Sequence, residues 1–167
     1  MYFFKAIALI ASLLVFDNIY DYQLTGINGD AINLSDYQGK KILIVNTSTN
    51  SEYAGQYASL EQLYQKYSDS LVIIAIPSNS FSNEPNENDS INSYVMSTYN
   101  IHYLLTAKMN VAGDSIAPLY QWLSENSQPV NNDFCKFLIS SQGDVIGAFD
   151  GTIDPMNNII QDMIQNH

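Results

Sequence analysis

The sequence predicts an α/β domain in which a central mixed sheet is sandwiched between helices. Three observations carry that prediction. Two apolar runs, Ile42-Leu43-Ile44-Val45 and residues 71–76 (LVIIAI), read as strands buried on both faces. The stretch between them has apolar residues at helical spacing. Two further strand-like runs near the C-terminus, residues 134–139 and 145–149, flank the turn Ser141-Gln142-Gly143-Asp144 as a hairpin.

The elements follow in order. Tyr20-Asp21-Tyr22-Gln23-Leu24 alternates like a short strand, and Asn28-Gly29-Asp30 supplies a hairpin turn before residues 31–34. Ser35-Asp36-Tyr37 is a brief capped turn leading into the first buried strand. Residues 53–67 place Tyr57, Leu60, Leu63, Tyr64 and Tyr67 on one helical face. Pro77 stops the second buried strand, and a polar loop rich in Ser, Asn and Pro covers residues 78–88. Residues 89–99 form a helix on Ile91, Tyr94 and Val95, and residues 108–111 a strand. Residues 116–123 form a helix with Leu119, Trp122 and Leu123 on its apolar side. Asp154-Pro155 reads as an N-cap followed by proline at the first position of a final helix through Met156, Ile159, Ile160 and Met163. The order gives a three-layer α/β/α sandwich, the order of a thioredoxin-like fold.

The 167 residues suit one domain, taken here as 18–167, with 1–17 as a leader. Lys5 precedes an unbroken apolar run at residues 6–16, the length of a secretory h-region and too short for an ordinary bilayer span. The chain is therefore expected to be exported, periplasmic or secreted. Seventeen acidic residues against six basic ones give a formal net charge of -11. Such a surface repels phosphate backbones and anionic headgroups, so neither nucleic acid nor a membrane surface beyond the leader is an expected partner. Cys135 is the sole cysteine, which excludes an intramolecular disulfide and a CxxC redox pair. No cofactor is called for. The Asp/Asn-rich loops at residues 83–89 and 131–133 lack the D-x-D-x-D-G spacing of a calcium loop.

A series of motifs resembles the glutathione peroxidases. It begins in NIYDYQLTGINGDAINLSDYQGKKILIVNTST, with Tyr20-Asp21 and Leu24, then Leu34-Ser35-Asp36-Tyr37 and Gly39-Lys40. It continues through Gln56-Tyr57, Leu60-Glu61-Gln62-Leu63-Tyr64, Pro77 with Asn79 and Phe81, and Glu84-Pro85. Leu119-Tyr120-Gln121-Trp122-Leu123, Phe134 with Lys136-Phe137-Leu138, and Thr152 with Asp154-Pro155 complete it in the family's order.

The resemblance implies a peroxide-reducing site of four parts, and this chain departs at each. Ser51 stands where the family has a reactive cysteine or selenocysteine, with Glu52 for the usual glycine. Ser80 stands for the loop glutamine; Asn132 and Asp133 stand for tryptophan and asparagine; Val95 stands for the second cysteine of thioredoxin-dependent members. In the family reaction a thiolate attacks the peroxide, an S–O bond forms as the O–O bond breaks, and an alcohol or water leaves. The sulfenic acid is then reduced by further thiols, glutathione or thioredoxin. A serine hydroxyl ionises too weakly and cannot change oxidation state. Peroxide reduction by that route is not expected.

Two readings follow. In the first the chain is degenerate for peroxide reduction and acts as a binding or structural module with an unknown protein partner. In the second Cys135, one residue beyond the tryptophan-asparagine-phenylalanine segment, is a relocated thiol in a peroxidase; otherwise it is a core filler. Ser51 as a hydrolase nucleophile would need His102 or His167 as base and lacks a G-x-S-x-G elbow. It reads better as a cap for the backbone N–H groups that follow. His102 reads as a polar loop residue. Only residues 124–131 precede the segment where larger tetrameric relatives carry an insertion, which implies a monomer or loose dimer.

Overall fold

The computed structural model describes residues 18–166. The expected leader at 1–17 and His167 lie outside the described residues. A short antiparallel hairpin comes first, β1 (Gln23–Thr25) and β2 (Ala31–Asn33). Gly29 turns it with φ of 90°, a left-handed conformation that glycine adopts without a Cβ clash.

The main sheet has five strands in the order β5-β4-β3-β6-β7. The strands β3 (Lys41–Thr47) and β4 (Leu71–Pro77) are parallel and joined by helix α1 (Gln56–Tyr67). This is the buried pair that the two apolar runs predict. A two-residue strand, β5 (Leu104–Leu105), continues the parallel side after helix α2 (Asn88–Tyr99). On the other side β6 (Lys136–Ile139) runs antiparallel to β3 and forms a hairpin with β7 (Val145–Phe149).

Two cores lie on the two sheet faces. Ile42, Ile44, Ile74 and Phe137 meet α3 (Pro118–Glu125) and the N-terminal hairpin on one face. Leu43, Val45, Ile73 and Leu138 meet α1, α2 and α4 (Asn158–Asn166) on the other. Burial of these β-branched and leucine side chains on both faces fixes the register, since a one-residue slip would reverse every contact.

Four expected elements are corrected. The expected strand at residues 20–24 begins only at Gln23, because Ile19–Asp21 form a 3-10 turn capped by Asn18. Residues 108–111 are not a strand. The short edge strand is Leu104–Leu105; beyond it Met109 N makes a single backbone bond, to Pro77 O at the end of β4, and Lys108 N turns to the Asn88 side chain. The last helix starts at Asn158, not after Asp154-Pro155. Asp154 closes its own turn, accepting from Met156 N at 2.8 Å, and Asn157 accepts from Ile159 N at 3.0 Å as the true cap. Helix α1 likewise begins three residues later than the periodicity suggests, because residues 51–55 are spent on turns.

Candidate functional site

The site lies where β3 ends. The chain leaves Thr47 and enters a turn at residues 49–55, and a cavity of about 360 Å³ opens beside it. Ser51, Glu52 and Tyr53 come from this turn, Phe81 and Asn83 from the loop after β4, and Asn131, Asn132 and Asp133 from the segment before β6. Three chain segments distant in sequence thus meet because β3 is central, parallel β4 ends alongside it and antiparallel β6 begins there.

Ser51 is nearly buried and accepts from Tyr53 N at 3.2 Å, so it caps the turn ahead of α1. Asp133 is 3 % exposed. Its Oδ2 accepts from the Asn83 amide at 2.6 Å, while Oδ1 is buried without a hydrogen-bond partner. Burial pushes the Asp133 carboxyl above the usual carboxylate range; the Asn83 amide and the Ser51 hydroxyl pull the other way. Tyr53 is also raised, first by loss of water and then by the charges of Glu52 and Asp150.

The segment carrying Asp133 is held by an unusual backbone. Phe134 has φ of 61°, donates its N–H to Asn46 O at 2.7 Å, and sets its ring edge-on against Tyr57 at 5.2 Å. A left-handed phenylalanine costs about 1 kcal/mol, offset here by that packing. Gly151 lies against the same segment: its N–H donates to Asn132 Oδ1 at 3.1 Å, its carbonyl accepts from Gln56 Nε2 at 2.7 Å, and a Cβ there would sit 2.0 Å from Asp133 O. Asn46 is buried, with its amide donating to Asn132 O at 2.9 Å.

Of the residues singled out from sequence, Ser51, Asn132 and Asp133 are brought together at the cavity. Ser80 is not a lining residue. Its hydroxyl accepts from Val111 N at 3.0 Å and from the Ser78 hydroxyl at 3.0 Å, tying two loops. Asn83 takes the place on the cavity wall. The sequence marked it only as the start of the Asp/Asn-rich loop at residues 83–89, one of several asparagines there. Cys135 is 4 % exposed and does not line the cavity. Its thiol donates to Asn132 Oδ1 at 2.9 Å, behind the wall. His102 is on its own elsewhere: its N–H donates to Glu61 Oε2 at 2.8 Å and Nδ1 lies 2.8 Å from Glu61 Oε1. The described residues therefore bring no imidazole to Ser51.

Lys136 is fully buried, and its ammonium donates to Phe134 O at 2.6 Å. Burial lowers it to about 8, against the raising influence of Cys135, Asp154 and Asp150. Among the described residues no group of three or more His, Cys, Asp or Glu side chains gathers to hold a metal ion.

The glutathione peroxidase family model matches residues 19–124. A protein called glutathione peroxidase in Lactococcus lactis subsp. cremoris is 34% identical over 145 residues, covering 83% of this chain and 92% of the relative. A glutathione peroxidase-like peroxiredoxin of Schizosaccharomyces pombe is 33% identical over 145 residues, with the same coverage of 83% and 92%. Among solved structures, apo Trgpx superposes with a TM-score of 0.71 at 30% identity, covering 89% of this chain and 93% of that one. A thioredoxin-family thiol:disulfide interchange protein of Chlorobium tepidum, at 14% identity and a TM-score of 0.64 over 86% and 89% of the two chains, shares the fold. The thioredoxin-like sandwich, the motif series and these matches agree: the chain belongs to the glutathione peroxidase family.

Proposed function

We propose that this chain is a peroxidase scaffold that no longer reduces peroxide through a thiol at the family position and serves, after export, as a binding module. The observation that carries the reading is the cavity wall itself. Ser51 is one of its lining residues, and among the described residues none of the lining side chains carries sulfur. Beside Ser51 lies a buried carboxylate, which would raise rather than lower the pKa of a thiol placed there. The apolar run at residues 6–16 supports export.

The second reading keeps the family's peroxidase activity and uses Cys135, with glutathione or thioredoxin as reductant. Against it stands the thiol's burial behind Asn132. The test is a turnover assay with hydrogen peroxide or an organic hydroperoxide and either reductant. Wild type is expected to show no thiol-dependent turnover above buffer. Ser51→Cys is expected to be oxidised by peroxide, seen as a mass gain of one oxygen, but to turn over slowly beside Asp133. Wild-type turnover that disappears in Cys135→Ala would overturn the first reading in favour of the second.

A further inference from the structure

A second cavity, of about 200 Å³, lies at the start of β4, the end remote from the Ser51 cavity. It exists because β5 is short. That strand pairs only with Ile74 and Ala75, so Leu71, Val72 and Ile73 have no neighbouring strand on its side. Leu71 and Ile73 belong to the core on one sheet face and Val72 to the core on the other. All three line the cavity, which therefore sits on the sheet edge itself.

The remaining lining has a definite chemistry. Tyr64 and Tyr103, whose rings lie 6.5 Å apart and tilted by 60°, form an aromatic wall. The basic residues are Lys40 and His102, and no acidic residue lines the cavity, in a chain of net charge -11. The Lys40 ammonium donates to Ser68 O at 3.4 Å, a long bond, and pairs with no carboxylate among the described residues. His102 is fixed from behind: its backbone N–H donates to Glu61 Oε2 at 2.8 Å, and Nδ1 lies 2.8 Å from Glu61 Oε1. Glu61 is not a lining residue and also accepts from the Gln65 amide. With Nδ1–H on that carboxylate, Nε2 of the neutral ring is left as an acceptor.

We propose that this cavity binds a small phenolic carboxylate, its carboxylate on the Lys40 ammonium, its ring against Tyr64 and Tyr103, and its hydroxyl donating to His102 Nε2. Each part of the ligand answers one feature of the lining. An apolar cavity of about 150 Å³ is enough to hold benzene, so this one suits a single substituted ring. Aromatic side chains favour tilted and offset contacts with such a ring. The bond from an ammonium to a carboxylate is about twice as strong as a neutral one. Charges farther than about 8 Å are largely screened at physiological ionic strength, so the local lining outweighs the net charge.

Other ligand classes fit less well. A metal ion finds one imidazole and no carboxylate among the lining residues. An inorganic anion would leave the apolar walls uncovered, and an organic cation would meet Lys40 with no negative charge beside it. None of the lining residues is shared with the Ser51 cavity, so binding here is independent of peroxide chemistry there.

The test is a titration of the purified chain with para-hydroxybenzoate at neutral pH, followed by calorimetry and by the NMR shifts of the backbone amides. Benzoate, which lacks the hydroxyl, para-hydroxybenzyl alcohol, which lacks the carboxylate, and sodium acetate at matched ionic strength serve as comparators. Saturable binding is expected, with shifts at Leu71, Ile73 and His102 and none at Asn83. Benzoate should bind about threefold more weakly and the alcohol about tenfold more weakly, while acetate should not saturate. Lys40→Gln, on an exposed residue, should weaken para-hydroxybenzoate about tenfold and leave the alcohol unchanged. His102→Phe should bring para-hydroxybenzoate and benzoate to equal affinity. Absence of saturable binding, equal affinity of the wild type for all three aromatic compounds, undiminished binding in Lys40→Gln, or shifts centred on Asn83 would overturn the proposal.

Discussion

Two buried carboxylates flank the turn that holds Ser51, and they are treated in opposite ways. Glu84 is fully buried and saturated: Oε2 accepts from Thr49 N at 2.6 Å, and Oε1 accepts from the Thr49 hydroxyl at 2.9 Å and the Asn86 amide at 3.1 Å. Asp133 is as deeply placed but has one oxygen empty. The first is a clasp that fixes the loop after β4 to the end of β3. The second is a group whose burial the fold tolerates without satisfying. The lesson is that burial of a charge identifies neither role; the count of donors around it does.

Substitutions can break that contrast. Glu84→Ala leaves the buried Thr49 N–H without its acceptor and should lower unfolding stability in urea by about 3 kcal/mol. A loss below about 1 kcal/mol would mean Glu84 is no clasp. Lys136 gives the next effect. Its folded-state value of about 8 lies below that of an unfolded lysine, so its charge destabilises the fold below pH 8 and the effect fades as pH rises toward 10. Lys136→Met should therefore stabilise at pH 7 by on the order of 2 kcal/mol, after loss of the bond to Phe134 O, with the advantage shrinking by pH 10. An advantage that does not change with pH would refute the buried-charge account.

The smallest effect belongs to Asp133. Its carboxyl is raised in the folded state, so the fold holds that proton more tightly than the unfolded chain, and stability is lost as pH rises through the raised value. Asp133→Asn keeps an acceptor for Asn83 and removes the charge. It should gain about 1 kcal/mol at pH 7 and nothing below about pH 4. Thermal melts across that range decide it, and a destabilised variant at pH 7 would place Asp133 with Glu84 as a clasp.

The scaffold was largely legible in the residues. The runs at 42–45 and 71–76, the amphipathic stretch between them, and the hairpin around Gly143 specify strands and helix through patterns that act locally. The misreadings arose where side chains decide between alternatives. Asp154-Pro155 has the chemistry of a helix start, yet Asn157 captures the Ile159 N–H in the first turn of α4 instead. Residues 108–111 look like a strand, but the backbone of β4 is already paired with β5 one turn of chain earlier. At the site, position in the motif series located Ser51, Asn132 and Asp133, because strand ends are set by the fold. It misplaced Ser80, held Glu84 only as a motif anchor without a role, and passed over Asn83 and Gly151; those roles depend on which loop groups turn inward. No local pattern encodes that choice.

The contact at Gly151 has a consequence for the C-terminal segment. Any side chain there would strike the carbonyl of Asp133, so the link from the last strand to the last helix and the rim of the cavity are machined to a common tolerance. Swelling that one position by a methyl group would be felt not at the terminus but at the wall of the cavity.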